Sequence, residues 1–185
     1  MILVAGLPAS GKNYITEQFV DHIDHICVLD KDDLGALVDC AFRLSGQESN
    51  RDGSFYTQHI KAAEYETLMQ LAFSALRYED TVLVNAPFLT QLQDEQYMKT
   101  LAEKIHRMGA TLLVIWTHAP WEIMRERMLK RGAIRDTWKL THWDEYQKQS
   151  QFAIPYRFAK YGWLDRLYVV DTSKDEEVRT LLEQL

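Results

Sequence analysis

The sequence predicts a three-layer α/β/α sandwich around a five-stranded parallel sheet, and three observations predict it. Short apolar runs rich in Val, Ile and Leu alternate with helical patterns from one end of the chain to the other. The runs show little polar alternation, which is how strands buried on both faces of a parallel sheet read. The first run passes straight into a glycine-rich turn and then a helix, the arrangement of an α/β protein whose ligand sits at the carboxyl end of its first strand.

The predicted strands are Ile2–Ala5, Ile26–Leu29, Thr81–Asn85, Thr111–Trp116 and Leu167–Val170. Helices fill the gaps. Lys12–Asp21 and Asp32–Phe42 follow the first two strands, and Tyr56–Tyr78 carries Leu68, Leu71, Ala72 and Ala75 at a helical period. Gln91–Met108 stops at Gly109, a residue suited to a C-terminal cap. Pro120 fits the first turn of a helix reaching to Arg131, and Lys174–Gln184 closes the chain as an amphipathic helix. Two polar stretches break the rhythm, Leu44–Ser54 and Gly132–His142. Loops of this kind in α/β enzymes carry lids or substrate contacts. With no linker or repeat, the 185 residues read as one domain with a lid segment near residues 125–142.

Composition narrows the function. A net charge of −6 argues against nucleic acid as the main partner and for a small molecule, although Arg125 to Lys139 forms a local basic cluster. The two cysteines, Cys27 and Cys40, lack metal-ligand spacing and read as free thiols of a reducing compartment. No apolar run is long enough to cross a bilayer, and Met1–Ala5 lacks the basic flank of a signal peptide, so a cytoplasmic location is expected.

The motif that carries chemistry is Gly6-Leu7-Pro8-Ala9-Ser10-Gly11-Lys12, which matches G-x-x-x-x-G-K. Glycines permit backbone conformations closed to other residues and let the chain approach a ligand closely. Successive N–H groups then form an anion nest, reinforced by the N-terminus of the next helix. Gly6, Ala9, Ser10, Gly11, Lys12 and Asn13 are the expected nucleotide-binding residues, with Lys12 reaching the terminal phosphates. Asn13 stands where a Ser or Thr usually gives magnesium a hydroxyl; its amide oxygen can coordinate the ion with different reach.

With this loop, the Asp32-Asp33 pair and the arginine-rich segment, the chain resembles the small P-loop kinases. The likeness points to the zeta-toxin and polynucleotide-kinase-like group labelled as AAA-type ATP-binding proteins. It spans nearly the whole chain in element order, and the glycine loop is its specific motif. It implies a nucleoside-monophosphate-kinase-type fold, within the P-loop containing nucleoside triphosphate hydrolase fold. In that group an Asp after the second strand acts as general base on the acceptor hydroxyl. Leu29-Asp30-Lys31-Asp32-Asp33-Leu34-Gly35 fits that pattern, with Asp32 as base or magnesium contact. The arginine expected next is Gly35, which argues against an acceptor needing a positive clamp there, such as a 3′-phosphorylated nucleic-acid end. Without the resemblance, one of these aspartates is simply a helix cap, and Asp33 is the candidate. Asn85 ends the third strand where such enzymes often have an Asp beside magnesium; a plain strand-end turn explains it equally well.

Arg125, Arg127, Lys130, Arg131 and Arg135 follow the fourth strand. The resemblance implies a lid whose arginines close over the transferring phosphoryl group, with Arg127, Arg131 and Arg135 in that role. Guanidinium groups suit it because several phosphate oxygens must be stabilised at once. The competing reading is a solvated helix in which Glu122 and Glu126 pair with Lys130 and the arginines. Trp121, Met124 and Met128 read as core. Trp138 and Trp143 either stack on a ligand or pack the lid, and packing is the simpler account. Ser173 is a candidate cap for the last helix.

Together these readings predict transfer of the γ-phosphoryl group of Mg-ATP to a hydroxyl of a small molecule. Lys12, Asp32, Arg127, Arg131 and Arg135 are the catalytic candidates, ATP and Mg2+ the cofactors, and Asn13 and Asp32 the metal contacts. A nucleotide-dependent switch or slow NTPase is the alternative, and a nucleic-acid 5′-end kinase is disfavoured by the net charge and Gly35.

Overall fold

The computed structural model describes residues 1–150 and 165–184. Five strands form one all-parallel sheet in the order β2-β3-β1-β4-β5. They are β1 (Ile2–Gly6), β2 (Ile26–Asp30), β3 (Thr81–Asn85), β4 (Leu113–His118) and β5 (Arg166–Asp171). The expected architecture is therefore present. Because β1 lies between β3 and β4, the connections leave it in opposite directions, and a crevice opens beyond its carboxyl end.

Period-two burial separates the two faces of β1. Leu3 and Ala5 join a core with α3 (Lys61–Ala75) and α4 (Glu95–Arg107), where Leu68, Ala72, Leu101 and Ile105 meet Val82, Val84 and Val114. Ile2 and Val4 face the other way, toward Ile15 and Phe19 of α1 (Lys12–His22) and Val178 and Leu181 of α8 (Asp175–Glu183). Both faces are dry, which explains the unbroken apolar strand sequences.

Several elements differ from their sequence expectation, each for a local reason. The second helix divides into a 3₁₀ turn, Lys31–Leu34, and α2 (Gly35–Leu44). The residue capping that turn is Asp30 rather than Asp33: its Oδ1 accepts from the Asp32 N–H at 2.8 Å. The third helix opens with a π turn, Tyr56–Ile60, and its buried face runs through Tyr65, Leu68, Met69 and Ala72, leaving Leu71 45% exposed. Asp94 interrupts Gln91–Met108 by capping α4, accepting from the Tyr97 N–H at 2.9 Å. β4 begins at Leu113 because the Thr111 carbonyl is taken by the Met1 ammonium at 2.7 Å.

The segment expected as a loop, Gly132–His142, is largely helical. Gly132 (φ 59) ends α5 (Trp121–Arg131), then a 3₁₀ turn Ile134–Asp136 leads into α6 (Thr137–Thr141) and α7 (Trp143–Gln149). Ser173 caps nothing: Lys174 holds the cap position of α8, and Asp171 accepts from both the Ser173 N–H and its hydroxyl. Met124 and Met128 are buried as expected, and Trp143 packs edge-on to Trp121 at 5.9 Å. Among the described residues no helix is long and apolar enough to cross a membrane.

Candidate active site

The glycine loop leaves β1 at the carboxyl edge of the sheet and becomes α1. Gly6 (φ 147), Ala9 (φ 62) and Gly11 (φ 93) take the positive-φ conformations that fold it back. Gly6 has a second constraint. A Cβ there would lie 2.5 Å from both the Thr117 carbonyl oxygen and Oγ1, so only glycine fits against β4. The loop is braced from β4 and from the end of β5: Ser10 Oγ and Thr117 Oγ1 share a 2.6 Å hydrogen bond, and Thr172 Oγ1 donates to the Ser10 carbonyl at 2.8 Å.

Helix α1 has no capping side chain and no acid in its first turn. The N–H groups of Ala9, Gly11, Lys12 and Asn13 make no hydrogen bond among the described residues, so they remain available to an anion. Lys12 Nζ donates to the carbonyls of Gly6 at 3.1 Å and Leu7 at 3.0 Å. Desolvation of its ammonium group lowers the pKa to about 8, against the pull of Asp32.

Across the crevice, strand register brings Asp30 beside Asn85. Asn85 Nδ2 donates to Asp30 Oδ2 at 2.7 Å and to Asn13 Oδ1 at 3.0 Å, so one amide nitrogen gathers a carboxylate and an amide oxygen. Burial raises the Asp30 pKa, which the Asp32 backbone N–H partly opposes. Asp32 itself points elsewhere: Oδ2 accepts from Arg135 Nη1 at 2.7 Å, and Oδ1 lies 3.8 Å from Arg51 Nη1. Burial pushes the Asp32 carboxyl up, but the Arg135 bond and the charges of Arg135, Lys31 and Arg51 outweigh it, and its pKa falls below the ordinary value.

The three arginines expected in a lid have distinct partners. Arg127 donates to the carbonyls of Ala9 at 3.3 Å and Thr172 at 3.0 Å, and to Thr172 Oγ1 at 2.8 Å, so it ties α5 to the loop and to the end of β5. Arg131 grips the buried carboxylate of Asp136 through Nε at 2.9 Å and Nη2 at 2.5 Å. Arg135 reaches Asp32. Glu122 and Glu126, the expected competitors, form no ion pair with these cations among the described residues.

These groups meet in one cleft of about 530 Å³, lined by Lys12 and Asn13 together with Asp32, Arg51 and Tyr56. The sequence profile of the AAA domain family matches residues 1–152. The chain belongs to that family. Solved structures agree on the fold. A chain of the PezAT chromosomal toxin–antitoxin system of Streptococcus pneumoniae superposes with TM-score 0.63 at 12% identity, covering 93% of this chain and 68% of that one. A protein of Chloroflexus aurantiacus that carries a provisional kinase label gives TM-score 0.59 at 16% identity, covering 99% and 91%. A sugar kinase from Janibacter sp. gives 0.54 at 16%, covering 99% and 90%. No curated protein matches the chain. The fold of this AAA domain is that of the small P-loop kinases, as its resemblance implied.

Within this AAA domain, Ala9, Gly11, Lys12, Asn13, Asp32, Arg127, Arg131 and Arg135 line the common cleft. Gly6 and Ser10 do not; both lie beneath the loop, with the Ser10 hydroxyl turned into the protein and its N–H bonded to the Leu7 carbonyl at 3.2 Å. Sequence reasoning passed over Asp30, whose position is defined only by its register against Asn85. It also passed over a buried cluster in the far wall. There Glu64 accepts from Lys31 at 2.9 Å and from the Tyr56 hydroxyl, with Arg51 Nη1 3.4 Å from its other oxygen. The sole sequence signal for that cluster was the polar Leu44–Ser54 stretch, which contains Arg51.

Proposed function

We propose that this AAA domain is an ATP-dependent kinase that transfers the γ-phosphoryl group of Mg-ATP to a hydroxyl of a small-molecule acceptor. The observation that carries the reading is the single cleft joining the unengaged N–H groups of the glycine loop to the Asp32 carboxylate. Those N–H groups and Lys12 hold the polyphosphate. Asp32 accepts a hydrogen bond from the acceptor hydroxyl and aligns it with phosphorus. As the hydroxyl oxygen bonds to phosphorus, the bond from phosphorus to the bridging β–γ oxygen breaks; ADP leaves and the hydroxyl proton passes to Asp32 and then solvent. A depressed pKa makes Asp32 a weak base. That suits a loose transition state, in which the hydroxyl proton is lost late and orientation matters more than basicity. Arg127, Arg131 and Arg135 supply positive charge on the lid side.

The donor set fits magnesium, a hard cation that prefers oxygen ligands. The Asn13 amide oxygen and the Asp30 carboxylate already converge on one Asn85 nitrogen, and these two would hold the ion. Asp32, the other residue expected near the metal, is engaged by Arg135 and faces Arg51, which supports reading it as the acceptor's contact instead. When bound, the ion neutralises charge on the phosphate oxygens.

The test is ADP release with and without a mixture of hydroxylated metabolites, in wild type and Lys12→Ala. Acceleration by the mixture, reduced about 100-fold or more by Lys12→Ala, is the expected result. A slow rate that no acceptor changes identifies a nucleotide switch or plain NTPase. Unaltered turnover in Lys12→Ala rejects the scheme.

A further inference from the structure

The far wall of the cleft holds more positive charge than its own carboxylates balance. Among the described residues, Lys31, Arg51 and Arg135 form ion pairs with two carboxylates, Glu64 and Asp32. Lys61, on the same wall, donates to Thr90 Oγ1 at 3.1 Å and has no acidic partner among the described residues. The surplus lies in a chain whose net charge is −6. Isolated surface cations need no explanation, but several cations gathered on one wall of a cleft focus a field that draws an anionic occupant.

Arg51 is the centre of this wall. Its guanidinium lies 3.4 Å from Glu64 and 3.8 Å from Asp32 but makes no hydrogen bond among the described residues, which leaves its donors open to a ligand. One Nη atom lies 3.5 Å from the point where a Cβ on Gly35 would stand. Arg51, from the Leu44–Ser54 loop, therefore lies in contact range of the start of α2. A positive clamp is present after all, delivered by a different segment. Glu64 keeps it in place: Lys31 and Tyr56 satisfy one carboxylate oxygen, and the other, buried and without a hydrogen bond, faces Arg51. Asp52, next in sequence, is bound by the nearly buried Lys139 of α6 at 2.6 Å, which ties the Arg51 loop to the lid.

From this arrangement we infer that the acceptor is an anionic alcohol, whose carboxylate or phosphate is bound by Arg51 with Lys61 while its hydroxyl lies against Asp32. The inference rests on the kinase reading and adds to it the class of acceptor. A planar fork with unspent donors matches both oxyanions bidentately. A neutral polyol or nucleoside would cover the guanidinium without engaging its free donors, at a cost that selects against it.

Calorimetry on the full chain tests this in two stages. In the first, the β,γ-imido analogue of ATP with magnesium is titrated into wild type. Failure to bind overturns the kinase reading itself and, with it, the inference. In the second, the protein saturated with that analogue is titrated with inorganic phosphate, with malonate and with glycerol. Because the glycine loop is then filled, binding of phosphate or malonate, but not glycerol, reports the far wall. Arg51→Ala is expected to weaken that binding on the order of 10- to 100-fold, with Arg51→Lys intermediate and analogue affinity unchanged in both. Phosphate binding alone assigns a phosphorylated alcohol, and malonate binding alone a carboxylated one. Absence of both, or anion binding indifferent to Arg51→Ala, overturns the inference while the first stage leaves the kinase reading standing.

Discussion

Replacing Glu64 with glutamine removes one negative charge and almost no volume, which makes it a clean probe of the far wall. The Glu64 side chain is 1% exposed and that of Lys31 9%, so the pair is screened from solvent. Oε2 accepts from Lys31 Nζ at 2.9 Å and from the Tyr56 hydroxyl, whose pKa is raised by burial and then by the bond to Glu64, keeping it a donor. Glutamine retains an acceptor for one of these but leaves Lys31 buried without a counter-charge and Arg51 with Asp32 alone. Breaking a buried pair from one side costs about 3 kcal/mol or more. For a chain of this length that corresponds to a Tm lower by about 6–12 °C. Thermal and urea unfolding followed by far-UV circular dichroism read the change, and a cycle with Lys31→Met isolates the pairwise part. The Lys31→Met/Glu64→Leu double variant, with no buried charge left on either position, is expected to recover much of the loss. A Glu64→Gln protein melting within about 2 °C of wild type refutes the argument, because a desolvated ion pair cannot be broken so cheaply.

Two further outcomes concern the nucleotide end. Desolvation holds Lys12 near 8 in the free protein, against an ordinary value of 10.5. The folded chain therefore favours the neutral amine, and its stability rises with pH between those two values. Polyphosphate restores the charge, so nucleotide binding at pH 8–9 is expected to take up a proton and to weaken as pH rises above about 8; calorimetric heats that do not vary with buffer ionisation enthalpy contradict this. Asp30→Asn should reduce Mn2+ affinity, read by water-proton relaxation with ADP present, by about 10-fold or more. Equal relaxation enhancement in the two proteins removes Asp30 from the metal site.

The sheet and the glycine loop were legible because their signals are local and periodic: apolar runs without polar alternation, and a motif contained in seven consecutive residues. The segment expected as a lid had a signal in its composition, but its structure was not legible. Its helices are short, and what orders them is tertiary, the buried Asp136 under Arg131 and Lys139 on Asp52. The aspartates after β2 were harder still. Asp30, Asp32 and Asp33 lie within four positions, and a cap, a metal contact and an acceptor contact all ask for the same side chain. Only the register that sets Asp30 against Asn85 separates them. The far wall was silent, since Lys31 and Glu64 are 33 residues apart and a lone buried Glu inside a helical pattern looks like any surface position.

The partners of the lid arginines also say which of them can respond to ligand. Arg131 holds a carboxylate that is 1% exposed through two N–H groups on one oxygen, and releasing it would strand a buried charge. Arg127 is spent on backbone carbonyls of the loop and of the β5 end. Arg135 differs from both. It and Asp32 are each about half exposed, at 47% and 48%, and an ion pair of that kind is worth no more than about 1 kcal/mol. A phosphoryl group of higher charge density can therefore draw Arg135 away, and an acceptor hydroxyl can take its place on Asp32. In the proposed reaction one exchange of partners would then serve both halves: the guanidinium would gain the transferring oxygens as the carboxylate gained the nucleophile. Within this geometry Arg135 is the arginine whose substitution should slow the chemical step most for the least loss of stability.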